Sequence, residues 1–233
     1  MTAPNHPTDQ DAAPAGRVRI MPLGDSITDG HRAYPGGYRV RLRRLLSADG
    51  HAVEFVGSLA NGPRSLVTRR HEGHTGWRVD QVDAHVHGWL RDCVPHTVLL
   101  LIGTNDMNQN YDTAQAPARL ARLLAHVRQA LPDGEVFVAT IPPQPTAARA
   151  RRIAAYNRAL PDVVAAAGPR VHLVPMHDAL TPADLADGVH PSRSGHDKMA
   201  QVWHEALRSV PSALAPGTPA HPLPASSHAS MSP

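Results

Sequence analysis

Apolar residues in this chain fall into short, dense runs separated by longer stretches where they recur every third or fourth position. The run Val18-Arg19-Ile20-Met21-Pro22-Leu23 reads as a strand. Leu42, Leu45 and Leu46 then line one side of a helix near 37–48, and a second strand is expected at 52–57. A stretch rich in Gly, Arg and His, 58–75, reads as a long loop and leads into a helix near 78–90. Residues 97–102 form an unbroken apolar run of the kind buried on both faces of a sheet. The alternation continues with a helix near 116–130 (Leu120, Leu123, Leu124, Val127), a strand at 135–141, a helix near 147–166 and a strand at 170–174. A last helix near 194–210 turns Met199, Val202, Trp203 and Leu207 inward. Strands that alternate with helices imply right-handed βαβ units, hence an α/β domain with a parallel sheet covered on both sides.

The two ends break this pattern. Residues 1–16 and 211–233 are rich in Pro, Ala and Ser without periodicity, which predicts disordered tails around a single domain at 17–210. No apolar run approaches the ~20 residues of a membrane-spanning helix. The first residues lack the basic start and apolar core of a signal peptide, so the sequence as given is expected to stay in the cytoplasm.

Charge adds little. The net charge is +3 and Lys198 is the only lysine, but the arginines are spread over helix faces without interleaved aromatics, which argues against a nucleic-acid partner. The single cysteine, Cys93, excludes an intramolecular disulfide and precedes an expected strand, the setting of an inert thiol. His71-Glu72-Gly73-His74 is one residue short of the H-E-x-x-H zinc motif, and its glycines favour a loop, so no metal is expected.

The chemistry gathers where a parallel α/β sheet binds its ligands, beyond the carboxyl ends of the strands. Gly24-Asp25-Ser26 follows the first strand and Gly103-Thr104-Asn105-Asp106 follows the third. Asp187-Gly188-Val189-His190 precedes the last helix, and the long loop carries Glu72-Gly73-His74-Thr75-Gly76-Trp77. A serine nucleophile needs a base, an acid that orients the base, and donors for an oxyanion. Asp187 and His190 are close enough for the carboxylate to reach the ring within one turn. Asn105 can offer a side-chain amide, and Ser26 and Gly73 can offer backbone N–H groups. His177-Asp178, after the fifth strand, is a rival source of the base.

These four blocks, in this order, resemble the SGNH hydrolase superfamily of GDSL-type esterases and lipases. The resemblance spans about residues 17–209 and implies a flavodoxin-like three-layer α/β/α sandwich on a five-stranded parallel sheet, with no metal or organic cofactor. It implies Ser26 as nucleophile, His190 as base and acid, and Asp187 as orienter. Ser26, Gly73 and Asn105 become the oxyanion donors, Gly73 being preferred to Gly76 because it directly precedes His74-Thr75. Asp25, Asp106 and His74 flank the site as residues that touch substrate or fasten their loops, and Trp77 serves as a core anchor or a sugar platform. Position 27 is Ile where the eponymous motif has Leu.

The wider phrasing (IMPLGDSITDG, GGYRVRL, HEGHTGWRVDQV, LLLIGTNDM, LADGVHPSRSGHDKMAQVW) is similar to microbial acetyl xylan esterases of the third carbohydrate esterase family. That implies hydrolysis of short acyl esters on a small-molecule or oligo- or polysaccharide substrate. The alternatives are a lysophospholipase or thioesterase and an inactive sugar-binding relative. The same resemblance makes secretion the alternative to a cytoplasmic location.

Overall fold

The computed structural model describes residues 16–30 and 34–216. The sheet is built on β1 (Val18–Gly24), β2 (Val53–Phe55), β3 (Leu59–Ala60), β4 (Arg70–Gly73), β5 (Thr97–Leu101), β6 (Glu135–Ala139) and β7 (Val171–Val174). The helices are α1 (Ser26–Asp29), α2 (Gly37–Ala48), α3 (Val79–Asp83), α4 (Val86–Cys93), α5 (Thr104–Asn108), α6 (Ala116–Ala130), α7 (Ala147–Ala166) and α8 (Arg193–Ser209). Five strands form the expected parallel sheet in the order β2-β1-β5-β6-β7. This is the flavodoxin-like order, and its switch point lies between β1 and β5.

The stretch at 58–75, expected to be loop throughout, contributes two further strands. β4 runs parallel to β1 through Leu23↔Glu72 and Gly24↔Gly73, and β3 pairs antiparallel with β4. One flank of β1 is therefore shared, with β2 covering residues 18–20 and β4 covering residues 23 and 24. Pro22 sits in the gap between them. The carbonyls of Ile20 and Gly24 both accept on that flank, from Val56 N–H and His74 N–H (each 2.9 Å). Pro22 has the same orientation, so its missing N–H falls where no partner strand would accept it.

Strand alternation divides the core in two. Met21, Leu23, Val98, Leu100, Val136 and Val138 pack against α3, α4, α6 and α7 through Val82, Leu90, Leu123 and Leu160. Ile20, Leu99, Leu101, Phe137 and Val174 face α2 and α8, where Leu42, Leu46, Met199 and Trp203 close the second cluster. Burial of this apolar area is the main stabilising term, at about 25 cal/mol per Å² removed from water. The helix expected near 78–90 is broken between α3 and α4.

The carboxyl-terminal boundary extends beyond the expected residue 210. Pro211–Leu214 forms a 3₁₀ turn with Ala213 and Leu214 buried in the second cluster. Thr97 Oγ1 donates to Ala213 O (2.7 Å) and Ser212 Oγ to Glu135 Oε1 (2.8 Å). Two apolar side chains in a Pro- and Ala-rich segment are too few to leave a periodic signal. The remaining tail residues, 1–15 and 217–233, lie outside the described part.

Arg39 of α2 has no exposed surface. Its guanidinium donates to Thr28 O (3.2 Å), Asp29 O (3.2 Å), Arg69 O (3.0 Å) and Asn61 Oδ1. Burial lowers its pKa to about 10, so it stays charged at neutral pH. Arg39→Leu should strand these acceptors and cost about 2–4 kcal/mol, read as a lower urea midpoint at unchanged m-value.

Candidate active site

The turn from β1 into α1 is set by close packing. A Cβ at Gly24 would lie 2.1 Å from Leu101 O, so only glycine lets β1 and β5 meet at their carboxyl ends. Asp25 then caps α1, its Oδ1 accepting from Ile27 N–H (2.9 Å). Ser26 is consequently the first residue of a helix rising from the sheet edge, with only 6% of its surface exposed.

His190 Nε2 lies 2.9 Å from Ser26 Oγ, and His190 Nδ1 lies 2.7 Å from Asp187 Oδ2. The second carboxylate oxygen, Oδ1, accepts from the backbone N–H of His190 (2.8 Å) and Val189 (3.0 Å). Asp187 thus grips both the ring and the loop that carries it. Partial burial acts to raise its pKa. The hydrogen bonds from His190 N–H, the His190 ring and Val189 N–H outweigh burial and bring it down to about 2. An ionised carboxylate only accepts, so the proton of neutral His190 sits on Nδ1 and Nε2 is left to accept from the serine hydroxyl.

The loop is anchored at its base. Ala186 N–H donates to His190 O (2.8 Å), Ser192 N–H to Asp184 O (2.7 Å), and Lys198 pairs with Asp184 (2.8 Å). His177, the rival base, lies elsewhere. Its Nδ1 is 3.0 Å from Ile141 O and 3.1 Å from Asn157 Nδ2, and it has no contact with Ser26.

Asn105, in the first turn of α5, donates from Nδ2 to Trp77 O (2.9 Å), which leaves its second amide hydrogen available. Gly73 ends β4 directly against α1. Its N–H donates to His71 Nδ1 (3.0 Å), and a Cβ there would lie 2.4 Å from Asp29 N, so the contact between β4 and α1 requires glycine at 73. Gly76 is the contrasting position. It has a positive φ of 82° and open space at its Cβ position, and its carbonyl accepts from Gln109 Nε2 (3.1 Å). The Gly76–Trp77 turn is thereby held against α5 beside Asn105, and Gly76 N–H makes no hydrogen bond among the described residues.

The flanking residues are occupied. Asp106 is fully buried, paired with Arg119 (2.8 Å) and accepting from Val79 N–H (3.0 Å). Asp25 is equally buried and faces its own helix, so neither carboxylate is open to a ligand. His74 bonds Glu72 Oε2 (2.9 Å) and stacks on Trp77 (4.3 Å) and Trp89 (4.5 Å), which makes Trp77 part of a ring stack. Within His71-Glu72-Gly73-His74 the Glu72 carboxylate is held by Ser58 and His74, and His71 Nδ1 accepts from Gly73 N–H. Sequence reasoning missed Arg39 and His71, whose roles depend on contacts between distant segments.

A seryl oxygen, an imidazole and a carboxylate in series at the switch point of a parallel sheet define a hydrolase-type site on an SGNH fold. A family model described as "GDSL-like Lipase/Acylhydrolase family" matches residues 23–198, and the chain belongs to that family. The chain is 34% identical to a structure described as a Clostridium thermocellum family 3 carbohydrate esterase, with a TM-score of 0.75 over 85% of this chain and 99% of that one. It is 28% identical to a carbohydrate esterase family 3 structure from Talaromyces cellulolyticus, with a TM-score of 0.72 over 83% and 97% of the two chains. A multidomain esterase of Ruminococcus flavefaciens is 32% identical over 83% of this chain, and the match spans 29% of that larger protein. No helix among the described residues is long and apolar enough to cross a membrane.

Asp25 provides a pH test of the site's base. Burial raises its carboxyl to about 7, against the opposing pull of Ile27 N–H and His190. A raised acid favours the folded state while protonated, so its contribution is fully present below about pH 4 and is lost as pH rises through 7. His71 and His196 act in the opposite sense, burial lowering them to about 3 and about 4. The unfolding free energy of wild type relative to Asp25→Asn should therefore fall between pH 4 and 7, then level off.

Proposed function

We propose that the protein is a serine esterase that removes short acyl groups, acetyl above all, from hydroxyls of a carbohydrate. The observation that carries this reading is the Ser26–His190–Asp187 series, with hydrogen-bond distances of 2.9 and 2.7 Å. The carbohydrate and the acetyl group are suggested by similarity to the family 3 carbohydrate esterases and by the sequence blocks around the site.

In the proposed reaction Ser26 Oγ attacks the ester carbonyl as His190 Nε2 takes its proton. Asp187 holds the resulting imidazolium through Nδ1. The oxyanion is received by Ser26 N–H, which as a first helical residue has no intrahelical acceptor, and by the free hydrogen of Asn105 Nδ2. Gly73 N–H is the third donor of this proposal, its backbone lying against Thr28 and Asp29 of α1. Collapse of the tetrahedral intermediate breaks the ester bond, and His190 returns the proton to the departing sugar hydroxyl. A water, deprotonated by His190, then releases acetate from the acyl-serine and restores the enzyme.

Ser26→Ala should abolish both turnover and labelling by an organophosphonate, and labelling at another residue would refute the mechanism. Asn105→Ala should lower kcat by ~10²–10³. Gly73→Ala should lower both kcat and stability, because its Cβ would lie 2.4 Å from Asp29 N, read from kinetics beside urea unfolding. Across p-nitrophenyl esters, kcat/KM should peak at acetate; a peak beyond eight carbons would favour a lipolytic enzyme instead.

A further inference from the structure

The turn between β4 and α3 is tied to both strand ends that frame the site. His74 N–H donates to Gly24 O (2.9 Å), two residues before Ser26, and Trp77 N–H donates back to His74 O (3.1 Å). Trp77 O in turn accepts from Asn105 Nδ2 (2.9 Å), in the first turn of α5 beyond β5. The bond to Trp77 O sets the rotation of the Asn105 amide, and with it the direction of the hydrogen left over. Whatever holds Trp77 O in place therefore aims that hydrogen.

Gln109 grips the chain on both sides of Trp77. Its Nε2 donates to Gly76 O (3.1 Å), and its Oε1 accepts from Arg78 Nη1 (2.8 Å). A carbonyl on one side and a guanidinium on the other satisfy the amide in this orientation alone. Gln109 ends α5 four residues after Asn105, and residues at that spacing share a helix face. One face of α5 thus receives two consecutive carbonyls, Gly76 O and Trp77 O. Asp106 adds a hold further along, where its Oδ2 accepts from Val79 N–H (3.0 Å).

The two ends of this clamp differ in support. Arg78 is fixed independently. Its Nε and Nη2 bond the two oxygens of Asp80 (3.0 Å each), and its guanidinium lies 4.0 Å from the centre of the Tyr111 ring. Arg119, which pairs with buried Asp106, lies 5.0 Å from the same ring. Gly76 has a positive φ of 82°, and nothing lies within 4 Å of its Cβ position. Its carbonyl is held by Gln109, so the Gly76 end depends on that side chain.

We propose that Gln109 is a positioning residue of the oxyanion site: by clamping Gly76 and Arg78 it fixes Trp77 O, and through Trp77 O it aims the free hydrogen of Asn105 Nδ2. This rests on the reading of Asn105 as an oxyanion donor and extends the site one turn along α5.

The test is a double-mutant cycle on p-nitrophenyl acetate, an ester whose hydrolysis does not depend on a sugar. Gln109→Met keeps the length of the side chain and removes both hydrogen bonds. Because Gln109 is exposed, the urea midpoint should stay where it is. The kcat should fall about tenfold at unchanged KM, since a misaimed donor is felt in the transition state. In the Asn105→Ala background the same substitution should change kcat less than about twofold, because the group that Gln109 aims is gone. An unchanged kcat in Gln109→Met overturns the proposal. So does a loss that persists in the Asn105→Ala background, or one that comes with a lowered urea midpoint. Failure of the underlying reading gives a different result: Asn105→Ala alone would then keep the kcat of wild type, and the proposal would fall with it.

Discussion

One buried cation organises the region around Ser26. Arg39 reaches from α2 to the last carbonyls of α1 and to Arg69 and Asn61 in the segment before β4. A four-residue helix such as α1 could not persist alone, because nucleating a helix fixes several residues for a single hydrogen bond. It persists because Asp25 satisfies its N-terminus and Arg39 satisfies its C-terminus. Asn61 also bonds Asp29, so the guanidinium, the amide and the carboxylate form one network at the C-terminal end of α1, which carries Ser26. The position of Ser26 Oγ thus follows from a charge that never meets substrate.

Polar groups around the site fall into two classes. Asp187 is solvent-accessible, and its three hydrogen bonds with the His190 loop keep it ionised. Asp25, Asp106, His71 and His196 are buried, and for each of them desolvation is the largest influence. The site consequently combines one fixed negative charge with a surrounding shell that resists further ionisation. In the proposed reaction an imidazolium at His190 would be the main new charge, and Asp187 is already in place to meet it.

Much of this was legible in the chain itself. The apolar run at 97–101 and the spaced leucines of α2 and α6 identify the sheet and its cover, because burial imposes their periodicity. Ser26, Asp187 and His190 stand in turns directly after or before regular elements, so their meeting follows from topology. Gly73 shows the limit of that approach. Two glycines three residues apart look alike in sequence, and only the fold shows that Gly73 packs on α1 while Gly76 has open space at its Cβ position. The strands β3 and β4 were hidden for a related reason. β3 has only two residues and β4 reads Arg-His-Glu-Gly, and β4 forms because β1 leaves half of one flank uncovered. Arg39 among several arginines of α2 carries no local mark at all.

The divided flank of β1 has a further consequence. Because β2 ends at Phe55 and β4 begins at Arg70, the intervening backbone hangs from two fixed points while the sheet carries on past it. The conformational cost of a longer excursion there grows only logarithmically with its length. Within this excursion Asn61 and Arg69 are tied to Arg39 and Leu66 is buried, whereas Pro63, Arg64 and Ser65 are exposed. Residues can be added at 63–65 with little disturbance to the central strands. The fold therefore confines its tolerance for insertion to one exposed turn, outside the contacts that hold α1.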